Sequence, residues 1–210
     1  MTKLSPSMLA ADVMHLQEDI ARIVNCGPDY LHLDIMDGHF VPNISYGPDL
    51  VKAINKNFTL PLDVHLMLSE PEKYIEAFVN AGSDIITIHA ETENFANTLQ
   101  AIKETGVGVG ASVKPGTAIE SIYPFLEQLD LVLIMTVEPG FGGQSFMHHC
   151  VEKIEKLRAQ GYKGIINVDG GVNMQTAPIC IKAGADMLVM GTALFGAQNP
   201  QEVVDYIHSL

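Results

Sequence analysis

Eight short apolar segments recur along the chain, and each is followed by a longer stretch with helical periodicity. Strands that are covered on both faces are apolar almost throughout, so we predict that these segments are parallel strands. They occupy residues 4–8, 30–34, 62–66, 85–89, 108–113, 131–135, 165–169 and 187–190. Eight such units favour a closed (β/α)8 barrel of the α/β class. The alternative, an open dinucleotide-binding sheet, lacks a GxGxxG after its first strand.

Helix signals fill the stretches between the predicted strands. Asp12 is placed to cap a first helix with an apolar stripe of Leu16, Ile20 and Ile23. Pro71 is typical of a first helical turn. Other helices are expected around Val151 and Ile154 and after Pro48, Phe95, Ala118, Asn173 and Pro200. Glycines that should end helices are Gly27, Gly82, Gly106, Gly161 and Gly184.

Composition limits the class of protein and of partner. The 210 residues, 47% of them hydrophobic, suit one domain spanning residues 1–210. A net charge of -13 disfavours nucleic acid, because an acidic surface repels phosphate backbones. An anionic substrate would therefore have to be held by local donors such as backbone N–H groups.

The cysteines and the apolar segments bear on location. Cys26, Cys150 and Cys180 are too few and too scattered for a disulfide framework, which favours a reducing, cytoplasmic setting. Asp12 interrupts the early apolar run, so we expect no signal peptide. No segment approaches the roughly 18 apolar residues that a membrane-spanning helix needs.

Polar residues collect near the ends of three predicted strands. Because side chains alternate along a strand, each of these sets shares one face: His32 with Asp34, Asp63 with His65, and Asn167 with Asp169. Active sites of such barrels lie at this end of the strands. Two imidazoles and two carboxylates there would suit Zn²⁺ or Fe²⁺, and also Mn²⁺ or Co²⁺. Two carboxylates can also exchange protons with a substrate.

Glycine-rich segments follow the last three predicted strands. They are Gly140-Phe141-Gly142-Gly143, Gly170-Gly171 and Gly191-Thr192. An isolated glycine pair is more often a tight turn. In this architecture, however, the loops after strands seven and eight commonly bind phosphate, and glycine lets the backbone approach an anion closely.

Other side chains are expected near the same end of the barrel. Met36, Met67 and Met135 either line this end of the barrel and exclude water from it or pack in the core. Ser7 either bonds a substrate hydroxyl or makes a local turn contact. His39, Asp63 and His89 are candidates to orient ligating side chains. His148 is expected on a surface helix.

At these residues the chain resembles the ribulose-phosphate 3-epimerase family over nearly its whole length. The segments that carry the resemblance are SPS at 5–7, HLDIMDGHFVPN at 32–43, LDVHLM at 62–67, KPGT at 114–117, MTVEPGFGGQ at 135–144, VDGGV at 168–172 and GTA at 191–193. Two departures are slight: Thr192 stands where many members have serine, and Asn167 where an acidic residue is usual.

The resemblance implies a TIM barrel of the ribulose-phosphate-binding type. It implies interconversion of D-ribulose 5-phosphate and D-xylulose 5-phosphate by inversion at C3 through an enediolate. The metal ligands would be His32, Asp34, His65 and Asp169, and Asp34 and Asp169 would be the acid–base pair. Substrate contacts would be Ser7, His65, Met36, Met67, Met135, Gly140, Phe141, Gly142, Gly143, Gly170, Gly171, Gly191 and Thr192. Members of the family suggest a homo-oligomer.

Three other functions fit parts of the same pattern. An allulose-6-phosphate 3-epimerase would look similar, but Gly171 favours the pentose. A decarboxylase on a related barrel needs a lysine where this chain has Met36. A non-catalytic sugar-phosphate-binding module is expected to lose a histidine or an aspartate, and all four are present.

Overall fold

The computed structural model describes all residues, Met1–Leu210, and contains one sheet of eight parallel strands. The strands are β1 Lys3–Pro6, β2 Leu31–Met36, β3 Leu62–Met67, β4 Ile85–His89, β5 Gly108–Val113, β6 Leu131–Met135, β7 Ile165–Asp169 and β8 Met187–Met190. Neighbours in the chain are neighbours in the sheet from β2 to β8, and β8 pairs with β1. A single parallel bridge between Ser7 and His32 joins β1 to β2. The predicted (β/α)8 barrel is confirmed.

Helices cover the outside of the barrel. They are α1 Leu16–Val24, α2 Pro48–Asn57, α3 Ile75–Ala81, α4 Phe95–Thr105, α5 Val151–Ala159, α6 Ala177–Ala183, α7 Thr192–Phe195 and α8 Pro200–Ser209. A 3-10 helix, Ile119–Gln128, stands between β5 and β6 and contains Pro124, which has no N–H for an α-helical bond. Shorter 3-10 helices are Met8–Ala10, Pro71–Lys73 and His148–Cys150. No helix has the length and apolar character needed to cross a membrane.

β2 spans Leu31–Met36 rather than residues 30–34, and β3 extends one residue beyond its predicted end, to Met67. Two further predicted boundaries are corrected by local hydrogen bonds. β1 ends at Pro6, because the Ser7 hydroxyl accepts the N–H of Leu9 and starts a 3-10 turn. The helix cap expected at Asp12 is wrong, since α1 begins at Leu16. The Asp12 carboxylate accepts the N–H of Met14 and contacts the ring of His15, so it stabilises a turn ahead of the helix.

Buried apolar side chains form two main layers. The larger cluster of 47 residues lies between the strands and the helices. A second cluster of seven contains Ile85, Leu131, Leu133, Met135, Met187 and Val189, which alternate along β4, β6 and β8 with residues of the first cluster, and Val137, which follows β6. The barrel interior is therefore apolar on the side of β6 and β8, and its buried polar side chains collect mainly on β2, β3 and β4.

Four aspartates close the other end of the barrel in the same way. Each aspartate comes directly before an even-numbered strand, or two residues before it in the case of β2, and makes two backbone contacts with one residue of the odd-numbered strand before it. The aspartate carboxylate accepts the N–H of that residue, and the aspartate N–H donates to the carbonyl of the same residue. The pairs are Asp29 with Leu4, Asp84 with Leu62, Asp130 with Val109 and Asp186 with Ile166, each with a carboxylate bond of 2.8 Å. These four aspartate clamps lie at the N-terminal ends of the strands, away from the predicted site.

Candidate active site

Two histidines and two aspartates converge from β2, β3 and β7, with Asp169 at the C-terminal end of its strand. One ligand atom from each of His32, Asp34, His65 and Asp169 lies within 4.8 Å of the other three. Both histidines are fully buried, Asp34 is 4% exposed, and Asp169 is partly exposed. Strand alternation therefore places these side chains on the interior face, as the sequence pattern indicates.

Asp34 is the centre of this group. Its Oδ1 lies 3.2 Å from Nε2 of His32 and 3.2 Å from Nδ1 of His65. Its Oδ2 accepts a hydrogen bond of 2.8 Å from the Ser7 hydroxyl. Asp169 is more loosely held, with Oδ2 at 3.9 Å from Nε2 of His32.

Buried polar side chains support both rings from behind. His32 Nδ1 lies 2.7 Å from Oδ2 of Asp63, and Asn167 donates to the same oxygen at 3.1 Å. His65 Nε2 lies 2.8 Å from Nε2 of His89. Asp63 and His89 thus lie behind the rings of His32 and His65, where they could orient them. His39 does not, because it is exposed and its ring contacts the carbonyl of Asp37.

The two aspartates differ in their electrostatic surroundings. Burial raises the pKa of Asp34, but the charge and hydrogen bonds of His32 and His65 outweigh it and hold that pKa well below its usual range. Burial and the charge of Asp34 raise the pKa of Asp169 to about 6. Burial lowers the pKa of His32, yet Asp34 and Asp63 raise it well above its usual value. Two carboxylates with separated pKa values are suited to act as a base and an acid.

The four side chains also suit a divalent metal ion. Two imidazole nitrogens and two carboxylate oxygens within 4.8 Å of one another form a mixed nitrogen and oxygen donor set of the kind that transition metals take. The carboxylate of Asp63 behind His32 is a common support for a metal-binding histidine. The group could therefore hold such an ion.

A cavity of about 550 Å³ opens above this group. Asp34 and Asp169 lie in its wall, together with these residues that the sequence assigned to substrate: Ser7, Met36, Met67, Met135, Gly140, Phe141, Gly142, Gly143, Gly170, Gly171, Gly191 and Thr192. His65, also assigned to substrate, is fully buried and is not part of the wall. The volume is in the range of small-molecule sites.

Glycine is required where the loops meet. Gly171 has φ +64°, and a Cβ there would lie 2.6 Å from the backbone nitrogen of Phe146. Gly170 has φ +118°, and its Cβ would lie 2.8 Å from the nitrogen of Val137. The loops after β6 and β7 therefore pack backbone against backbone, which no larger residue would allow.

Several residues of the cavity wall are not predicted from the sequence. They are Leu9, Ala10, Val137, Pro139, Gln144, Ser145, Phe146, His148, Val172, Asn173, Thr176, Val189 and Ala193. His148 was expected on a surface helix; it begins a short 3-10 helix and also lines the cavity. The available signal was proximity in the chain, since many of these residues flank the glycine-rich segments. No lysine or arginine lines the cavity.

Known proteins resemble this chain over nearly its full length. Residues 3–195 match the model of the Ribulose-phosphate 3 epimerase family. The chain is 46% identical to ribulose-phosphate 3-epimerase of Bacillus subtilis (strain 168), covering 99% of this chain and 98% of the relative. It is 44% identical to the protein of the same name from Schizosaccharomyces pombe, covering 96% and 90%. It is 42% identical to the cytoplasmic isoform of Oryza sativa subsp. japonica, covering 96% and 91%.

Solved structures with little sequence similarity share the fold. The 3-hexulose-6-phosphate synthase of Salmonella typhimurium has a TM-score of 0.75 at 17% identity, covering 99% of this chain and 97% of that one. The 3-keto-L-gulonate-6-phosphate decarboxylase of Vibrio cholerae has a TM-score of 0.75 at 12% identity, covering 100% and 97%. The fold is thus a TIM barrel, and the sequence matches go further: the chain belongs to the ribulose-phosphate 3-epimerase family of isomerases.

Proposed function

We propose that the protein is a metal-dependent epimerase that interconverts D-ribulose 5-phosphate and D-xylulose 5-phosphate by inversion at C3. The observation that carries the proposal is the pair Asp34 and Asp169, from the non-adjacent strands β2 and β7, in the wall of one cavity. Relatives at 46% and 44% identity bear the name of this activity, which supports the choice of substrate.

The metal ligands in this proposal are His32, Asp34, His65 and Asp169. Nε2 of His32 and Nδ1 of His65 are the nitrogens that face Asp34, and they would bind the ion together with the carboxylates. When bound, a Zn²⁺ or Fe²⁺ ion, or alternatively Mn²⁺ or Co²⁺, would polarise the C2 carbonyl of the sugar and stabilise negative charge on its oxygens.

Asp34 and Asp169 would move the protons. One carboxylate removes the proton from C3; the electron pair of the broken C–H bond forms the C2–C3 double bond, and the C2 oxygen becomes an oxyanion. The other carboxylic acid returns a proton to the opposite face of C3, which inverts the centre. The reverse reaction exchanges the two roles. Placement of each group contributes about 10²–10⁴-fold. The Ser7 hydroxyl holds Oδ2 of Asp34 in place.

The remaining wall of the cavity would bind the rest of the sugar phosphate. Gly143, Gly171, Gly191 and Thr192 are assigned to the phosphate, and Gly140, Phe141, Gly142 and Gly170 to the same end of the substrate. Backbone N–H groups can bind an anion without a basic side chain, which suits a wall that contains no lysine or arginine. The buried Met36, Met67 and Met135 would exclude water around the enediolate.

The proposal extends to organisation and location. Residues 1–210 would act as one catalytic domain, in a homo-oligomer like other members of the family. A cytoplasmic location is supported by the relative named as a cytoplasmic isoform.

The test is epimerisation of D-ribulose 5-phosphate by zinc-loaded protein, with allulose 6-phosphate assayed in parallel. We expect rapid turnover of the pentose and much slower turnover of the hexose. A chelator should remove the activity, and added metal should restore it. Preference for the hexose would move the protein to the alternative substrate. Full turnover without metal would end the metal assignment, and no turnover of either sugar by metal-loaded, folded protein would leave a binding module.

A further inference from the structure

A line of side chains runs from His65 away from the cavity. His65 Nε2 lies 2.8 Å from Nε2 of His89, and Nδ1 of His89 lies 3.1 Å from Oε2 of Glu91. Both rings are fully buried. Neither His89 nor Glu91 lines the cavity, so these side chains cannot reach a substrate there.

The protonation of Glu91 decides which nitrogens of His89 and His65 carry hydrogen. Its Oε1 accepts the N–H of Lys114 at 2.8 Å. Burial raises the pKa of Glu91, but the hydrogen bond and charge of His89, followed by the hydrogen bonds of Thr117 and the Lys114 backbone, outweigh it and bring that pKa to about 2. An ionised carboxylate can only accept, so the hydrogen between Glu91 and His89 belongs to Nδ1 of His89.

The direction of the hydrogen bond between His89 and His65 follows from that between His89 and Glu91. A neutral imidazole has one N–H, so His89 presents a lone pair at Nε2. His89 is fully buried, packs against the ring of Phe40 with the centroids 4.7 Å apart, and makes its only Nε2 contact with His65. A nitrogen–nitrogen distance of 2.8 Å accommodates one hydrogen, which must then be carried by Nε2 of His65.

We propose that His89 and Glu91 are positioning residues that keep the hydrogen of His65 on Nε2 and so leave its Nδ1 free to bind the metal ion. The inference rests on the proposed function, since it concerns the same metal centre. His32 has the opposite arrangement, with Nε2 towards the centre and Nδ1 towards Asp63. The two metal-binding rings are thus set in different tautomers by different partners.

The Glu91→Gln variant separates this role from a purely structural one. Its amide oxygen can still accept the N–H of Lys114, so the loop contact is retained. Its NH₂ group then faces His89 and donates to Nδ1, which moves the hydrogen of His89 to Nε2. His65 must in turn accept at Nε2 and carry its hydrogen on Nδ1, where it blocks the metal. We expect zinc affinity to fall about 10–100-fold, as for other residues that support a ligand.

The experiment combines two readouts in the full-length protein. Zinc affinity is measured by competition with a chromophoric chelator, and ring ¹⁵N shifts report the tautomers of His65 and His89. In the wild type we expect hydrogen on Nδ1 of His89 and on Nε2 of His65, both without metal and with zinc. Without metal, Nδ1 of His65 faces Oδ1 of Asp34 at 3.2 Å and can carry a second hydrogen, which zinc displaces. Glu93→Gln is the control, because it removes the same charge from an exposed position two residues away.

The outcomes separate this inference from the proposed function. Metal-free wild type with a bare Nε2 on His65 overturns the inference, and this measurement requires no variant to fold. So does equal zinc affinity in Glu91→Gln and Glu93→Gln, even if the wild type turns over the pentose. The expected tautomers and the selective loss of zinc affinity, found in a protein without epimerase activity, would support the inference and end the proposed function.

Discussion

Asp34 and Asp169 differ in their contacts, although both lie at strand ends on the interior of one barrel. Asp34 contacts two imidazoles and the Ser7 hydroxyl, whereas Asp169 has a single imidazole contact at 3.9 Å and a more exposed side chain. Asp34 is therefore the better fixed of the two. In a reversible epimerisation each would act as base in one direction only.

The Asp34→Asn and Asp169→Asn variants test this division. We expect each to lower kcat by at least about 10²-fold, because each lacks one of the two proton-transfer groups. In deuterium oxide each zinc-loaded variant should exchange the C3 proton of one epimer only, and the two variants should prefer opposite epimers. Asp205→Asn, on the exposed face of α8, is the control. Exchange of the same epimer by both variants, or near-normal turnover by either, would contradict the two-base mechanism.

Residue patterns could predict which side chains meet but not how they are oriented. Alternation along β2, β3 and β7 brings His32, Asp34, His65 and Asp169 together, because strand parity alone fixes the face. The ring nitrogen that each histidine presents depends on its partner. His65 meets His89 across 24 residues of chain, and such a contact has no periodicity in the sequence.

At the scale of elements, the sequence predicts both ends of most strands. The early end of β1 is set by a local hydrogen bond. The bounds of β4 to β8 agree with the apolar segments. β2 and β3 extend to Met36 and Met67, which pair with each other in the sheet. β1 ends early because the Ser7 hydroxyl accepts the backbone N–H of Leu9, a local hydrogen bond that hydropathy does not report.

Loop packing leads to a prediction for Gly171→Ala. The added Cβ would lie 2.6 Å from the nitrogen of Phe146 and displace the loop after β6, so KM for the sugar phosphate should rise about tenfold, equivalent to about 1.4 kcal/mol. Gly161→Ala is the matched control, since its φ is +88° but nothing lies within 4 Å. Both should lose about 1–2 kcal/mol of stability from the left-handed backbone. An unchanged KM in Gly171→Ala would show that the loop contact does not form the phosphate site.

At the scale of the whole molecule, the contacts that stabilise the barrel and the candidate active site lie at opposite ends of it. The His and Asp group that could hold a metal ion lies with the cavity towards the C-terminal ends of the strands, and the aspartate clamps are at the N-terminal ends. This division is general for barrels of this kind. Changes at the clamps should therefore alter the free energy of unfolding and leave the reaction unchanged.

Asp84→Ala tests this separation. It leaves the N–H of the fully buried Leu62 without its carboxylate partner, so we expect a loss of about 1–3 kcal/mol in denaturant unfolding. Asp84→Asn, which keeps an acceptor oxygen, should recover part of the loss. Asp205→Ala, on the exposed face of α8, should cost little. A lower kcat in folded Asp84→Ala protein would contradict the separation.

The four aspartate clamps imply that this barrel is modular. Each clamp closes within one consecutive pair of strands, from Asp29 with Leu4 to Asp186 with Ile166, so the closing contact is repeated four times around the ring. None of these contacts involves the loops that form the cavity. Such a scaffold is evolvable: the upper loops can change length and composition, and with them the substrate, while every quarter of the barrel keeps its own closure.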